Sequence, residues 1–330
     1  MSITSMFGGP DLQRRGLLLA AGAAAVAALG ERIADAQAPR PDALAAWNAA
    51  PSLRLWPGAP PGGGFVARAL PEGTPPFFIS NVASPELRLF RPARPNGRAL
   101  LVIPGGAYRF VSIANEGVDI AARMNALGYT IFVLLYRLPG EGWADRADVP
   151  LQDAQRAMRL IRAQAAPFAL DPGQIDAIGF SAGGHLAASL ATAFAEPVHT
   201  PADATDRLDA RPRAVGLIYP VISHAPGIGH AESTRLLLGT DPDAALVARR
   251  SPALHVTAAT PPAFLVHALD DGAVPPENSL IMMRAMQAAR RPVEAHLFEA
   301  GGHGFGAGPP GTPAAHWLDL FAAWLETHAG

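Results

Sequence analysis

Ser181 stands in the run "GFSAGGH", residues 179–185, with Gly179 two positions before it and Gly183 two positions after. A serine hydroxyl becomes an effective nucleophile when a base takes its proton and a carboxylate orients that base. The chain after Ser181 supplies both types, acid first and histidine second. In "FLVHALDDGAVPPENS" an apolar run ends at His267, with Asp270 and Asp271 in the loop beyond it. In "EAHLFEAGGHGFG" a second run ends near Phe298, with His303 in the glycine-rich loop that follows. Either aspartate can be the acid by type and position. Ahead of Ser181, "LLVIPGGAYRF" runs into Gly105, Gly106 and Ala107. Residues this small let backbone N–H groups approach a bound carbonyl, so the turn fits half of an oxyanion hole, with the Ala182 N–H as the other half. The chemistry these residues suit is acyl transfer through a serine.

Such groups must be held at the ends of strands, and the pattern predicts those strands. Leu87–Phe90, Leu100–Ile103, residues 129–137, Ile175–Phe180, Ala214–Tyr219, Ala263–His267 and Val293–Phe298 read as short apolar strands. Helical patterns lie between them at Ile113–Leu127, in "PLQDAQRAMRLIRAQAA", at His185–Phe194 and at Ser279–Arg290, with a closing helix at His316–His328. Continuous apolar runs are expected of strands buried on both faces. The alternation predicts an α/β fold, a mostly parallel central sheet with helices on both faces, which binds ligands at the carboxyl ends of its strands. A nucleophile between strand and helix sits on a sharp, strained turn whose neighbours must be small. That accounts for Gly179 and Gly183.

The other histidines have plainer expectations. His185 reads as a packing or capping residue, and His267 as a hydrogen-bonding partner within its own loop. His224 and His230, in "SHAPGIGH", are candidates to line the site, as are Phe110, Trp143 and Tyr219.

The chain has 330 residues, 49% of them apolar, and a net charge of -2. No basic excess points to nucleic acid or to anionic lipid. There is no cysteine, which excludes disulfides, thiolate metal sites and a cysteine nucleophile. No metal-protease, P-loop or dinucleotide motif is present, so neither cofactor nor metal is expected. At the N-terminus, Arg14 and Arg15 precede an apolar run from Leu17 to Leu29, and Ala36 and Ala38 follow at cleavage-site spacing. The run is shorter than the roughly 20 residues a spanning helix needs. Residues 1–38 therefore read as a cleaved signal of twin-arginine type. The mature protein is expected in the periplasm or medium, without stable membrane association. Residues 39–76, rich in Pro and Gly, read as an extended arm, and 77–330 as the catalytic domain.

Taken together, "PGGAY", "GFSAGGH", "HALDDGAVPPENS" and "GGHGFG" resemble the α/β-hydrolase superfamily. More narrowly they are similar to the bacterial BD-FAE-like group related to acetylxylan and feruloyl esterases, as are "LWPGAPPG", "YRLP", "YPVIS" and "LLG". The resemblance runs from about residue 53 to the C-terminus. It implies an α/β-hydrolase fold, Ser181 as nucleophile, Asp271 as acid and His303 as base. Asp271 matches because Val274 and Pro275 complete the group's D-x-x-V-P turn. Gly106, Ala107 and Ala182 match its oxyanion positions. The group's P-G-G-G reads Pro104-Gly105-Gly106-Ala107 here, so a positive φ at the last position would strain Ala107. The implied substrate is a small-molecule or oligosaccharide ester such as acetylated xylan. A prolyl-oligopeptidase-like serine peptidase shares the motif order, and a general short-chain carboxylesterase fits the same residues.

Overall fold

Five strands of the central sheet are buried along their whole length. They form because their sequences are mostly apolar, rich in β-branched and leucine side chains, with Thr130, Asp176 and His267 as the polar exceptions. They are β4 (Ala99–Ile103), β6 (Thr130–Leu135), β7 (Ile175–Phe180), β8 (Val215–Ile218) and β9 (Ala263–Ala268). This computed structural model describes residues 42–328. The expected export signal, residues 1–38, lies outside the described residues.

The remaining strands are β1 (Ser52–Arg54), β2 (Phe78–Ile79), β3 (Glu86–Phe90), β5 (Val111–Ser112) and β10 (Val293–Phe298). The helices, in order, are α1 (Ala43–Ala49), α2 (Asp119–Ala126), α3 (Val149–Ala163), α4 (Ser181–Thr192), α5 (Ala231–Leu238), α6 (Ala244–Arg249), α7 (Glu277–Ala288) and α8 (Trp317–Thr327). An eight-stranded sheet has the order β1-β3-β6-β4-β7-β8-β9-β10. The pairs β1–β3 and β3–β6 are antiparallel, and every other pair in the sheet is parallel. β2 and β5 make a separate two-stranded ribbon.

The sheet is covered on both sides. Along β9, Phe264 meets Phe321 and Trp324 of α8, while His267, on the opposite face, bonds Ser279 of α7. This is the α/β-hydrolase arrangement that the motifs imply. Register decides where the chemistry goes. Ile103 lies opposite Gly179, so the loop after β4 emerges beside the turn after β7. Ala268 lies opposite Phe298, so the loops after β9 and β10 emerge level with one another.

Two expectations need correction. The segment expected to be an extended arm carries α1 and β1, and it buries Trp47 and Trp56. Its first part, "ALAAWNA", is a good helix sequence that turns Trp47 to the core, and the Pro/Gly-rich composition begins only after Trp56. The helix expected over 113–127 is divided: a π-helical turn, Ala114–Val118, precedes α2.

Candidate active site

Ser181 is the first residue of α4, directly after β7, and it holds φ at +52°. The glycines around it are required by close packing. A Cβ on Gly179 would lie 2.2 Å from the Gly183 carbonyl oxygen, and one on Gly183 would lie 2.2 Å from that of Ile103. A Cβ on Gly184 would lie 2.7 Å from Pro220 Cβ. None of these positions admits a side chain without moving backbone or ring atoms.

The structure brings Ser181, His303 and Asp271 into one hydrogen-bonded chain. Ser181 Oγ is 2.9 Å from His303 Nε2, and His303 Nδ1 is 2.7 Å from Asp271 Oδ2. With Nδ1–H donating to the carboxylate, Nε2 is free to accept the serine proton. The Asp271 side chain is fully buried. Burial would push its carboxyl up, but hydrogen bonds from His267 and His303 and the Val274 N–H hold it well below the usual carboxylate range. Asp271 Oδ1 accepts from the N–H groups of Ala273 and Val274, at 2.9 and 2.8 Å. The D-x-x-V spacing is therefore a turn closed by the aspartate itself.

The two candidate acids have different partners. Asp270 Oδ1 accepts the N–H groups of Gly301 and Gly302, at 2.9 and 2.8 Å, and so anchors the loop that carries His303. His267 bonds within its loop as expected, to the Val274 carbonyl at 2.9 Å, and its Nε2 also lies 3.3 Å from Asp271 Oδ2.

The loop after β4 lies against the serine turn. A Cβ on Gly105 would be 2.9 Å from Ser181 Cβ. Gly106, Ala107 and Tyr108 all take positive φ, at 127°, 55° and 62°. Among the described residues no carbonyl or carboxylate accepts the N–H of Gly106 or Ala107. Ala182, second in α4, has no carbonyl one turn before it in the helix. These three N–H groups, on the loop after β4 and at the start of α4, are left without an acceptor among the described residues. A cavity of about 190 Å³ opens past the same loop, lined by Tyr108, Arg109, Leu138, Glu141 and Leu236.

Of the remaining sequence candidates, His185 packs as expected. It takes the Tyr108 O–H on Nδ1 at 2.7 Å and turns Nε2 to the Arg250 carbonyl, also at 2.7 Å. His224 stands against His185, 3.0 Å between their Nε2 atoms, and so belongs to this buried network. His230 begins α5 and bonds Ser233. Burial and the nearby His303 push its imidazole down, and the charge of Asp271 acts the other way. Phe110 stacks on Phe78, and Trp143 packs on Phe65 and Arg137. Tyr219 does reach the site: its ring meets that of His303 edge-on, with centroids 5.1 Å apart.

Sequence reasoning missed Glu116. It lies in the π-helical turn, 2% exposed. Its Oε2 accepts the Gly105 N–H at 2.7 Å and its Oε1 accepts the Tyr219 O–H at 2.8 Å. In the sequence it looks like one polar residue of an amphipathic helix, and nothing local marks it as buried.

The BD-FAE family model matches residues 87–286. Over 234 residues the chain is 32% identical to an acetylxylan esterase of Xylanibacter ruminicola, covering 70% of this chain and 45% of that protein. It is 34% identical over 205 residues to an endo-1,4-beta-xylanase B of Butyrivibrio fibrisolvens, covering 62% of this chain and 32% of that one. It thus spans less than half the length of either curated relative. Among solved structures, an acetyl ester-xyloside bifunctional hydrolase from Caldicellulosiruptor lactoaceticus is similar at 33% identity and a TM-score of 0.72, covering 84% of this chain and 96% of that one.

Proposed function

This chain belongs to the BD-FAE family, and from that premise we propose that it is a serine carboxylic ester hydrolase that deacetylates carbohydrate esters such as acetylated xylan fragments. One observation carries the reading: Ser181 Oγ, His303 Nε2 and Nδ1, and Asp271 Oδ2 follow one another at 2.9 and 2.7 Å. His303 takes the Ser181 proton as the oxygen attacks the ester carbonyl. Asp271 fixes the imidazole and balances the charge it gains. The tetrahedral oxyanion is received by the N–H groups of Gly106, Ala107 and Ala182. The C–O bond to the alcohol then breaks, and His303 returns the proton to the leaving oxygen. Water, deprotonated by the same imidazole, attacks the acyl-serine and releases the acid and free Ser181.

Support for a carbohydrate substrate comes from relatives named for acetylxylan and xylan chemistry. A second reading, a general short-chain carboxylesterase, has support from matches to proteins named simply as esterases, such as LipC of Mycobacterium tuberculosis, 28% identical. Export through the signal over 1–38 is part of the proposal and suits a polysaccharide substrate.

One experiment addresses all of this. The protein is recovered from the periplasm or medium of an expressing bacterium, its N-terminal residue is determined, and acetate release is followed on acetylated xylan, 4-nitrophenyl acetate and a dipeptidyl amide. The expected outcome is a chain beginning near Pro39 that releases acetate from xylan. Ser181→Ala should lower the rate by at least about 10³-fold at unchanged stability. A Ser181→Ala protein retaining more than a few per cent of the rate would remove the serine from the mechanism. Aryl ester cleavage without xylan deacetylation would favour the general esterase. Faster cleavage of the amide would favour a peptidase.

A further inference from the structure

Glu116 has no arginine or lysine partner among the described residues. Burial pushes the Glu116 carboxyl up, and the groups that act the other way, toward its charged form, are the Gly105 N–H, the Tyr219 hydroxyl and His303. Burying a carboxylate on two hydrogen bonds is costly, and a leucine of similar size would avoid that cost. Such a group is usually placed for function, and π-helical turns, where Glu116 sits, are themselves frequent at functional sites.

Its contacts reach the three loops that carry the reaction. Through Oε2 it holds Gly105, and Gly105 rests on Ser181. That bond uses the Gly105 N–H and leaves those of Gly106 and Ala107 to face the oxyanion. Through Oε1 it accepts a hydrogen bond from the Tyr219 hydroxyl, which leaves the Tyr219 oxygen to accept the Gly306 N–H at 3.0 Å, three residues beyond His303. The same tyrosine ring lies edge-on to the imidazole.

We propose that Glu116 is a positioning residue for ester hydrolysis: a second buried carboxylate, behind Tyr219, that sets the oxyanion and histidine loops against Ser181 and supplies negative charge to the imidazolium formed on His303. The proposal rests on the Ser181–His303 reading above. The groups facing His303 are Ser181, Asp271 from the turn after β9 with His267 behind it, His230 from the start of α5, and the Tyr219 ring with Glu116 beyond. Asp270 lies under the same loop. His230 is held toward its neutral form, chiefly by burial. Asp271 and Glu116 are then the anions that stabilise the transition-state cation.

The test uses the full mature chain with 4-nitrophenyl acetate, and a 4-nitrophenyl phosphonate to count competent sites. Glu116→Gln keeps the shape and removes the charge. It should lower kcat by about tenfold to a hundredfold with KM changed less than about threefold. Removing an anion makes the imidazole harder to protonate, so the acid limb of kcat/KM should move to lower pH, by about half a unit. Tyr219→Phe cuts the tie to Gly306 but keeps the carboxylate. It should lower kcat at least about fivefold with the acid limb closer to its wild-type position than in Glu116→Gln. Fewer competent sites with unchanged kcat per site and an unmoved acid limb in Glu116→Gln would make the residue merely structural and overturn the proposal. If Glu116→Gln does not fold, unchanged kcat per site in Tyr219→Phe overturns it. Ser181→Ala, run alongside, reports on the hydrolytic reading independently.

Discussion

At Ala107 the oxyanion loop holds φ at 55°, and at Tyr108 at 62°, in the left-handed region where a Cβ costs about 1 kcal/mol or more. The sequence motif resembles one with glycine at the first of these positions, and here the chain carries the strain instead. Replacing Ala107 by glycine removes that strain but gives the unfolded chain more freedom, worth about 0.4–1 kcal/mol. The two nearly cancel. Ala107→Gly should therefore unfold within about 0.5 kcal/mol of wild type in urea and hydrolyse 4-nitrophenyl acetate within about twofold of its rate, because the N–H is kept. A tenfold loss of kcat would mean that the alanine methyl itself shapes the site. This loop also marks what a sequence can tell about a site. Ser181 and His303 were legible because each follows an apolar run, with an acid between them in the chain, and Asp271 was told from Asp270 only by the D-x-x-V-P turn of the group the chain resembles. Glu116 was not legible, because its meaning lies in burial against Gly105 and Tyr219, and both contacts are tertiary.

The elements that place these residues depend on a buried ion pair near the amino end of the fold. Arg137, just past β6, and Asp153, in α3, are both fully buried and bond at 2.8 Å. Asp153 Oδ1 also accepts the Trp56 indole N–H at 2.8 Å, and the guanidinium lies over the Trp56 and Trp143 rings. The pair thus fastens the segment after β1 to the sheet. Asp153→Asn would leave the arginine charge buried without an anion. It should cost about 3–5 kcal/mol, seen as a lower urea midpoint and an earlier change in tryptophan fluorescence. A loss below about 1 kcal/mol would show that water reaches the guanidinium. The strands of the sheet were readable as mostly apolar runs, and Ile175–Phe180 and Val293–Phe298 have the predicted limits. The short elements were not. α6 has six residues and β1 three, too few for either period to register. The buried pair was not readable either: "YRLP" marks Arg137 but says nothing of its partner, which lies on another element.

Across the whole molecule, one histidine network joins pieces that the sequence keeps far apart. Tyr108 of the oxyanion loop donates to His185 in α4, and His185 meets His224 and the Arg250 carbonyl. His224 Nδ1 is 2.8 Å from Thr234 Oγ1 in α5. With His224 Nδ1–H donating to Thr234 and the single His185 Nε2–H shared between the Arg250 carbonyl and His224 Nε2, these contacts are made by neutral rings. Burial pushes His185 down to about 4 and drives His224 well below its ordinary value, with His185 adding to the effect. The sign follows from linkage. An imidazole whose folded pKa is depressed stays neutral in the native state while the unfolded chain takes up a proton below about 6.5, so its contribution is intact at neutral pH and shrinks as pH falls toward 4. For His185 the loss amounts to about 2 kcal/mol by pH 5. Buried acids such as Glu116, pushed up by desolvation, act in the opposite sense, so the informative quantity is a difference between proteins. His185→Gln should be the less stable protein at pH 7.5, because Tyr108 loses a well-placed acceptor. Its deficit relative to wild type should narrow by about 2 kcal/mol at pH 5, where only the histidine is penalised. Urea unfolding of both proteins at the two pH values measures this. A deficit that stays constant would mean that His185 binds its proton as readily in the folded protein as in the unfolded chain, and one that widens toward pH 5 would mean that the network already holds a proton at pH 7.5.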